Sequence, residues 1–193
     1  MRLVTIQDKA AYDDLCASGV LRCKPELAKW LHEDAFCVAY DWLAEQMKKR
    51  ISDPPQGVDY PIWAWYMLDG KPARVDLRKG VFSNYRGEQY ALTIEVPEGQ
   101  VLLSDEESWY SVLNDSLLSG ADSEEAYEED EAWFGALPPG EKQDFKHVSW
   151  EGIFDIDPFE NDWHRRGFDV QATFWELQKE QVVAVRRFIG RQQ

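Results

Sequence analysis

Cysteine is scarce in this chain: Cys16, Cys23 and Cys37 are the only three in 193 residues. The number is odd, none forms a CxxC pair, and two fall in predicted helices. They are expected to be reduced thiols of a cytoplasmic protein rather than a disulfide framework. Long apolar runs are absent too. No stretch approaches the roughly 18 apolar residues of a membrane span. The N-terminus MRLVTIQDKAAYDD has no apolar run after its basic residue, so a secretory signal is not expected either, and a membrane partner is excluded. There is no Gly-rich phosphate loop and no GxSxG nucleophile turn. Histidine is limited to His32, His147 and His164, and the five-residue step from His32 to Cys37 suits one helix face poorly. FDIDPFENDWH offers Asp155, Asp157, Glu160 and Asp162, but it lacks the glycine turn and closing glutamate of a calcium loop. The expectation is no metal site and no assignable cofactor.

Positive charge is missing from one region. Residues 96–164 hold 19 acidic and two basic residues, Lys142 and Lys146, within a chain of net charge −15. Residues 1–95 are nearly balanced, and residues 165–193 are slightly basic. A middle third of this kind repels nucleic acid and anionic membrane and favours a cation or a basic protein partner. It also serves simply as a solvated segment that keeps the chain dispersed.

Aromatic residues are plentiful, at 13% with nine tryptophans, and 44% of the chain is hydrophobic. Such a composition supports an aromatic-rich core in a single domain spanning residues 1–193. RLVTIQ alternates as a strand. The run 8–21 reads as a helix, with Asp8 as its N-cap and Gly19 as its stop. From Pro25 to Ile51 the residues Leu27, Leu31, Ala35, Val38, Ala39, Trp42, Gln46 and Met47 recur at three- and four-residue steps. That spacing predicts one long amphipathic helix whose stripe, Trp42 included, faces a sheet. PIWAWYML, QYALTIEV and VLLS read as strands, and SDEESWYSVLNDSLL as a helix capped by Ser104 or Asp105. Residues 119–148, dense in acids and interrupted by two prolines and glycines, read as an acidic insertion or flap. FDVQATFWEL and QVVAVRRFI read as closing strands, paired as a hairpin or joined as an arch. The fold class is therefore α+β, with a mixed or antiparallel sheet packed against the long helix.

Two constellations carry a candidate site. In YPIWAWYML, period two puts Trp63 and Trp65 on one face and Ile62, Ala64 and Tyr66 on the other. The smaller pair Ile62 and Ala64 suits close approach of a helix, leaving the two tryptophans toward a groove; packing of both in the core is the competing reading and the stronger one on composition. In VDLR, Asp76 and Arg78 project to one side of an extended segment. Arg78 has the planar fork that grips a carboxylate or phosphate, and Asp76 can orient it. Together Trp63, Trp65, Asp76 and Arg78 suggest a cleft for a small-molecule or nucleotide ligand, with rings stacking on a base or sugar. The alternative is a non-enzymatic interaction protein that binds a basic partner through its acidic middle third. LLSDEESW reads as plain helix capping, since its own acids occupy an anion's place.

Several runs together resemble the bacterial domain-of-unknown-function family 3841: TIQ, AYDWLAEQMKKRI, YPIWAWY, DLR, VLLSDEESWYSVLN, WEGIF and QATFWELQKEQVVAVRRF. The resemblance spans nearly the whole chain and implies a bacterial cytoplasmic protein, with no reaction attached. The family pattern has phenylalanine after LLSD and histidine after the following tryptophan, whereas this chain has Glu106 and Tyr110. Any chemistry resting on that histidine is not expected here. The layout of an early strand with Thr5, a helix ending SGVL and the late strands also looks like the outline of ADP-ribosyltransferase-like folds. That likeness implies an NAD cleft between two small sheets and a catalytic glutamate on a late strand. Gln171 and Thr173 stand near that place, with Glu176 the nearest acid.

Overall fold

The computed structural model of the protein describes residues 1–27, 34–77, 82 and 85–190. The predicted helical stretch 28–33, with Leu31 and His32, and the candidate Arg78 lie outside the described residues, as do the side chains of Leu27 and Ala35.

The chain opens with strand β1 (Arg2–Asp8), helix α1 (Lys9–Ser18) and strand β2 (Val20–Arg22). Asp8 caps α1 by accepting from the Ala11 N–H at 2.7 Å, and Gly19, at φ +80°, stops it in the left-handed conformation that glycine tolerates. Helix α2 spans Asp34–Arg50, and three basic residues in its last turn suit the helix dipole. Strand β3 (Ile62–Leu68) turns into the two-residue β4 (Lys71–Pro72), and β5 spans Glu88–Glu95. Strand β6 (Leu102–Asp105) runs directly into helix α3 (Glu106–Leu113). Helices α4 (Glu124–Ala136) and α5 (Pro139–Trp150) follow, then the short pair β7 (Phe159–Glu160) and β8 (Arg165–Arg166). The chain closes with β9 (Val170–Phe174), β10 (Glu176–Gln178) and β11 (Val182–Ile189).

The main sheet has the order β11-β5-β1-β3-β9-β6, with β4 added beside β3, and every recorded pairing is antiparallel. Strand alternation sends Leu3, Ile62, Ala64, Leu92, Ile94, Ala172 and Phe174 to one face, where Leu15 of α1, Leu21 of β2 and Leu177 of β10 cover them. On the other face, Leu102 and Trp63 meet a cluster built from α2, α3 and α5: Ala39, Leu43, Met47, Trp109, Val112 and Trp150. The fold is thus α+β, a sheet between unequal helical layers. Trp42 is buried as its spacing requires, but its ring stacks on Phe154 and meets Trp150 edge-on, so part of the α2 stripe faces α5 rather than the sheet. Val38 leaves the stripe and is exposed, and Leu43, outside the predicted stripe, is fully buried.

The acidic run 119–148, expected as an insertion or flap, contains most of two helices. Ser123 caps α4 through the Ala126 N–H, and Pro139 begins α5, where a missing N–H is tolerated. Only α4 is peripheral, burying no residue, whereas α5 places Trp150 in the core and buries Lys146, whose ammonium meets Asp115 at 2.5 Å. The two closing strands form no hairpin: β9 pairs with β3 and β6, while β11 pairs with β5 at the far edge of the sheet. The run FDVQATFWEL breaks at Trp175, and its second half, β10, pairs with β2 instead.

Candidate functional site

Strand β1 forms seven registered pairs with β5, but only Val4 and Trp65 are paired between β1 and β3. Beyond that pair the strands part. Pro61, just before β3, has no N–H to offer a ladder. A side chain bridges where the ladder ends: the Thr5 hydroxyl donates to the Trp63 carbonyl at 2.7 Å, and the Gln7 amide donates to that hydroxyl at 2.8 Å. The gap opens into a cleft of about 590 Å³, lined by the end of β1, the start of β3, the segment from Leu21 to Lys24 at the end of β2, and the rings of Tyr40, Tyr85 and Trp109. That volume falls in the range of small-molecule sites.

Trp63 and Trp65 both line this cleft. They are half-buried, so they serve as wall and as packing at once. Trp63 packs edge-on against Tyr40 with centroids 5.9 Å apart and tilts against Trp109 at 5.2 Å. Trp65 packs beside Val4, Leu68 and Phe82. Asp76 is half-buried in the segment whose Val75 and Leu77 pack beside Trp65, and it is not among the described lining residues. The structure therefore brings Trp63 and Trp65 together in one cleft, places Asp76 outside its lining, and leaves Arg78 outside the described residues.

Gln171 of β9, directly opposite Trp65, also lines the cleft. Its Oε1 is buried without a hydrogen-bond partner among the described residues, and so is Trp63 Nε1. Most buried polar groups in folded proteins are paired, and leaving one unpaired costs about 1–3 kcal/mol. Both groups, one a donor and one an acceptor, belong to residues that line the cleft; a third buried atom without a partner among the described residues, Ser104 Oγ, lies on the residue registered opposite Gln171.

The mouth carries charge, but the charges are mutually engaged. Arg22 pairs with Glu176 at 2.9 Å, Lys24 pairs with Asp14, and Asp8 caps α1. Burial, with help from Glu26 and Asp59, pushes the Cys23 thiol up to about 11, so at neutral pH it is protonated. Burial likewise pushes up the hydroxyls of Tyr40 and Tyr85. The lining thus supplies rings, amides and engaged ion pairs, which suit recognition better than proton transfer.

The run 155–162 forms a tied turn. Asp155 pairs with Arg166 at 2.6 Å and also accepts from the Asp157 N–H, and Glu160 meets Arg165 at 3.5 Å. Among the described residues no group of three or more His, Cys, Asp or Glu side chains could hold a metal ion. Asp105 is a structural cap. Its Oδ1 accepts from the Ser108 N–H at 2.8 Å and its Oδ2 from the Gly167 N–H at 2.8 Å. Gly167 sits at φ +75°, and an added Cβ would meet the Ile156 carbonyl oxygen at 2.5 Å, so only glycine fits that approach.

The family described as a domain of unknown function, DUF3841, matches this chain over residues 2–183. The chain belongs to that family. No curated protein and no solved structure matches it. The DUF3841 match contains every cleft residue named above. Glu106 and Tyr110, the two places where the chain was expected to depart from the family pattern, lie one turn apart on α3, and the Tyr110 hydroxyl donates to the Glu106 carboxylate at 3.0 Å. Burial pushes the Glu106 carboxyl up, and the bond from Tyr110 opposes that shift.

Sequence reasoning named Gln171 only for its place in the ADP-ribosyltransferase-like outline, and it missed Tyr40, Trp109 and the Leu21–Lys24 segment as site members. The available signal was local for Gln171: QATF puts a long amide on the same face as a tryptophan of the neighbouring strand. The others come from distant parts of the chain and carry no local signal.

Proposed function

We propose that this member of DUF3841 binds a small planar ligand of the nucleobase or amide type in the cleft between β1 and β3. The observation that carries the reading is the orphaned pair Trp63 Nε1 and Gln171 Oε1 on residues lining the cleft. A ligand edge presenting an acceptor to the indole N–H and a donor to the amide oxygen would satisfy both. Adenine, guanine and primary amides all have such an edge. The rings of Trp63, Trp65 and Tyr40 supply stacking surface, as in other sites that take flat ligands. Arg22 and Lys24 at the mouth give a phosphate somewhere to exchange partners, at the expense of ion pairs that are half-exposed and therefore weak.

A thermal-shift screen with adenosine, AMP, NAD, guanosine and nicotinamide tests this, because a ligand bound only by the folded chain raises its melting temperature. At least one probe is expected to raise Tm in the native protein and to lose that effect in Gln171→Leu and in Trp63→Phe. If no probe shifts Tm, or if a shift persists unchanged in both variants, the reading is wrong.

A further inference from the structure

Beyond the cleft, helices α2, α4 and α5 carry a run of exposed apolar side chains. Val148 is 70% exposed, Trp133 46%, and Phe145 and Val38 42% each. Trp133 of α4 meets Phe145 of α5 edge-on at a centroid distance of 5.0 Å. Val148 lies one turn beyond Phe145, and it shares a groove with Val38 of α2. The four side chains therefore form a stripe across three helices. Isolated exposed apolar residues are ordinary, but a continuous row of them marks an interaction surface.

Charge along this stripe is uneven. Around Trp133 and Phe145 the helical neighbours are Glu129, Glu141 and Asp144, all exposed. The two lysines of the acidic middle third are already engaged: Lys142 donates to the Gly135 carbonyl and Lys146 to Asp115. At the Val38 end the balance is different. Glu45 is paired with Lys48, and Glu151 with Arg50.

We propose that the stripe Trp133–Phe145–Val148–Val38 docks a basic amphipathic segment of a partner protein, its lysines and arginines lying over α4 and α5 and its uncharged end over Val38. The polarity follows from the charges. The aromatic end offers carboxylates with no ion pair among the described residues, whereas at the Val38 end the acids Asp41, Glu45 and Glu151 are balanced by Lys48, Lys49 and Arg50. Helix α4 buries no residue, and its Trp133 packs on Phe145 of α5 while staying about half exposed.

The test uses the full chain and two fluorescent peptides of the same Leu/Lys composition. One has its leucines at helical spacing and its lysines gathered toward one end; the other is scrambled. The patterned peptide is expected to bind with an affinity that falls as salt rises and that drops about tenfold or more in the double variant Phe145→Ser/Val148→Ser. Glu141→Lys/Asp144→Lys should weaken it similarly, while Val183→Ser/Val185→Ser on the distant edge strand should not. These side chains are exposed, so the variants should fold, which circular dichroism checks. Equal binding of the scrambled peptide, or indifference to Phe145→Ser/Val148→Ser, would overturn the proposal. So would sedimentation showing a dimer that Val148→Ser dissociates, because the stripe would then be covered by a second copy.

Discussion

Two tryptophans make opposite predictions for the same substitution. Trp150 is fully buried, and its indole N–H donates to the Ser116 carbonyl at 2.7 Å. Trp63 is half-buried, and its indole N–H has no partner among the described residues. Trp→Phe removes roughly 40 Å³, which at about 24 cal/mol per Å³ of residual cavity is about 1 kcal/mol. At Trp150 the substitution also takes the donor from the Ser116 carbonyl, adding about 1–3 kcal/mol, so Trp150→Phe should destabilise by about 2–4 kcal/mol. At Trp63 the volume loss is at most the same, but a desolvated N–H is removed with it. Trp63→Phe should therefore lie between neutral and about 2 kcal/mol more stable than the native chain. Urea unfolding of the ligand-free protein, with a shared m-value, measures both. A Trp63→Phe as damaging as Trp150→Phe would refute the reasoning. It would mean that the Trp63 indole is hydrogen-bonded in solution, most simply by a rotated Gln171 amide, and that no vacancy awaits a ligand. A stable Trp63→Phe that no longer responds to nucleosides would instead mark a site that sacrifices stability for binding.

Asp105→Ala should destabilise by about 2–4 kcal/mol in the same assay, since it removes the α3 cap and strands the Gly167 N–H. Replacing residues 124–136 with a short flexible linker should leave cooperative unfolding intact, because α4 buries nothing; loss of cooperativity would show that α4 is structural. The Cys23 thiol, raised in the folded state from 9.0 to about 11, contributes stability that is fully present below about pH 9 and lost as pH rises through 11. The loss should be smaller in Cys23→Ser, and mass-spectrometric mapping at pH 8 should find iodoacetamide on exposed Cys16 well before Cys23. Equal alkylation rates would contradict the burial of Cys23.

Much of this protein follows from local chemistry. Alternation in RLVTIQ, PIWAWYML and QYALTIEV specifies strands because successive side chains must point to opposite faces. Asp8, Gly19 and Asp105 set helix ends through hydrogen bonds within a few residues of each other. The same alternation put Trp63 and Trp65 opposite Ile62 and Ala64, and the smaller pair lies on the face that Leu15 of α1, Leu21 of β2 and Leu177 of β10 cover. Composition gave no element in the acidic run, yet a Ser123 cap and a proline in a first helical turn suffice to start α4 and α5. Burial of Trp150 and Lys146 was decided only when α5 met the sheet-side cluster. The cleft was decided at the same level. It exists because β1 stays with β5 and leaves β3 after one pair, and because Tyr40, Trp109, Arg22 and Gln171 converge there from distant segments. No local periodicity encodes that convergence. The spacing of residues along the chain determined which face each side chain takes, and the parting of two strands determined that one such face opens into a site.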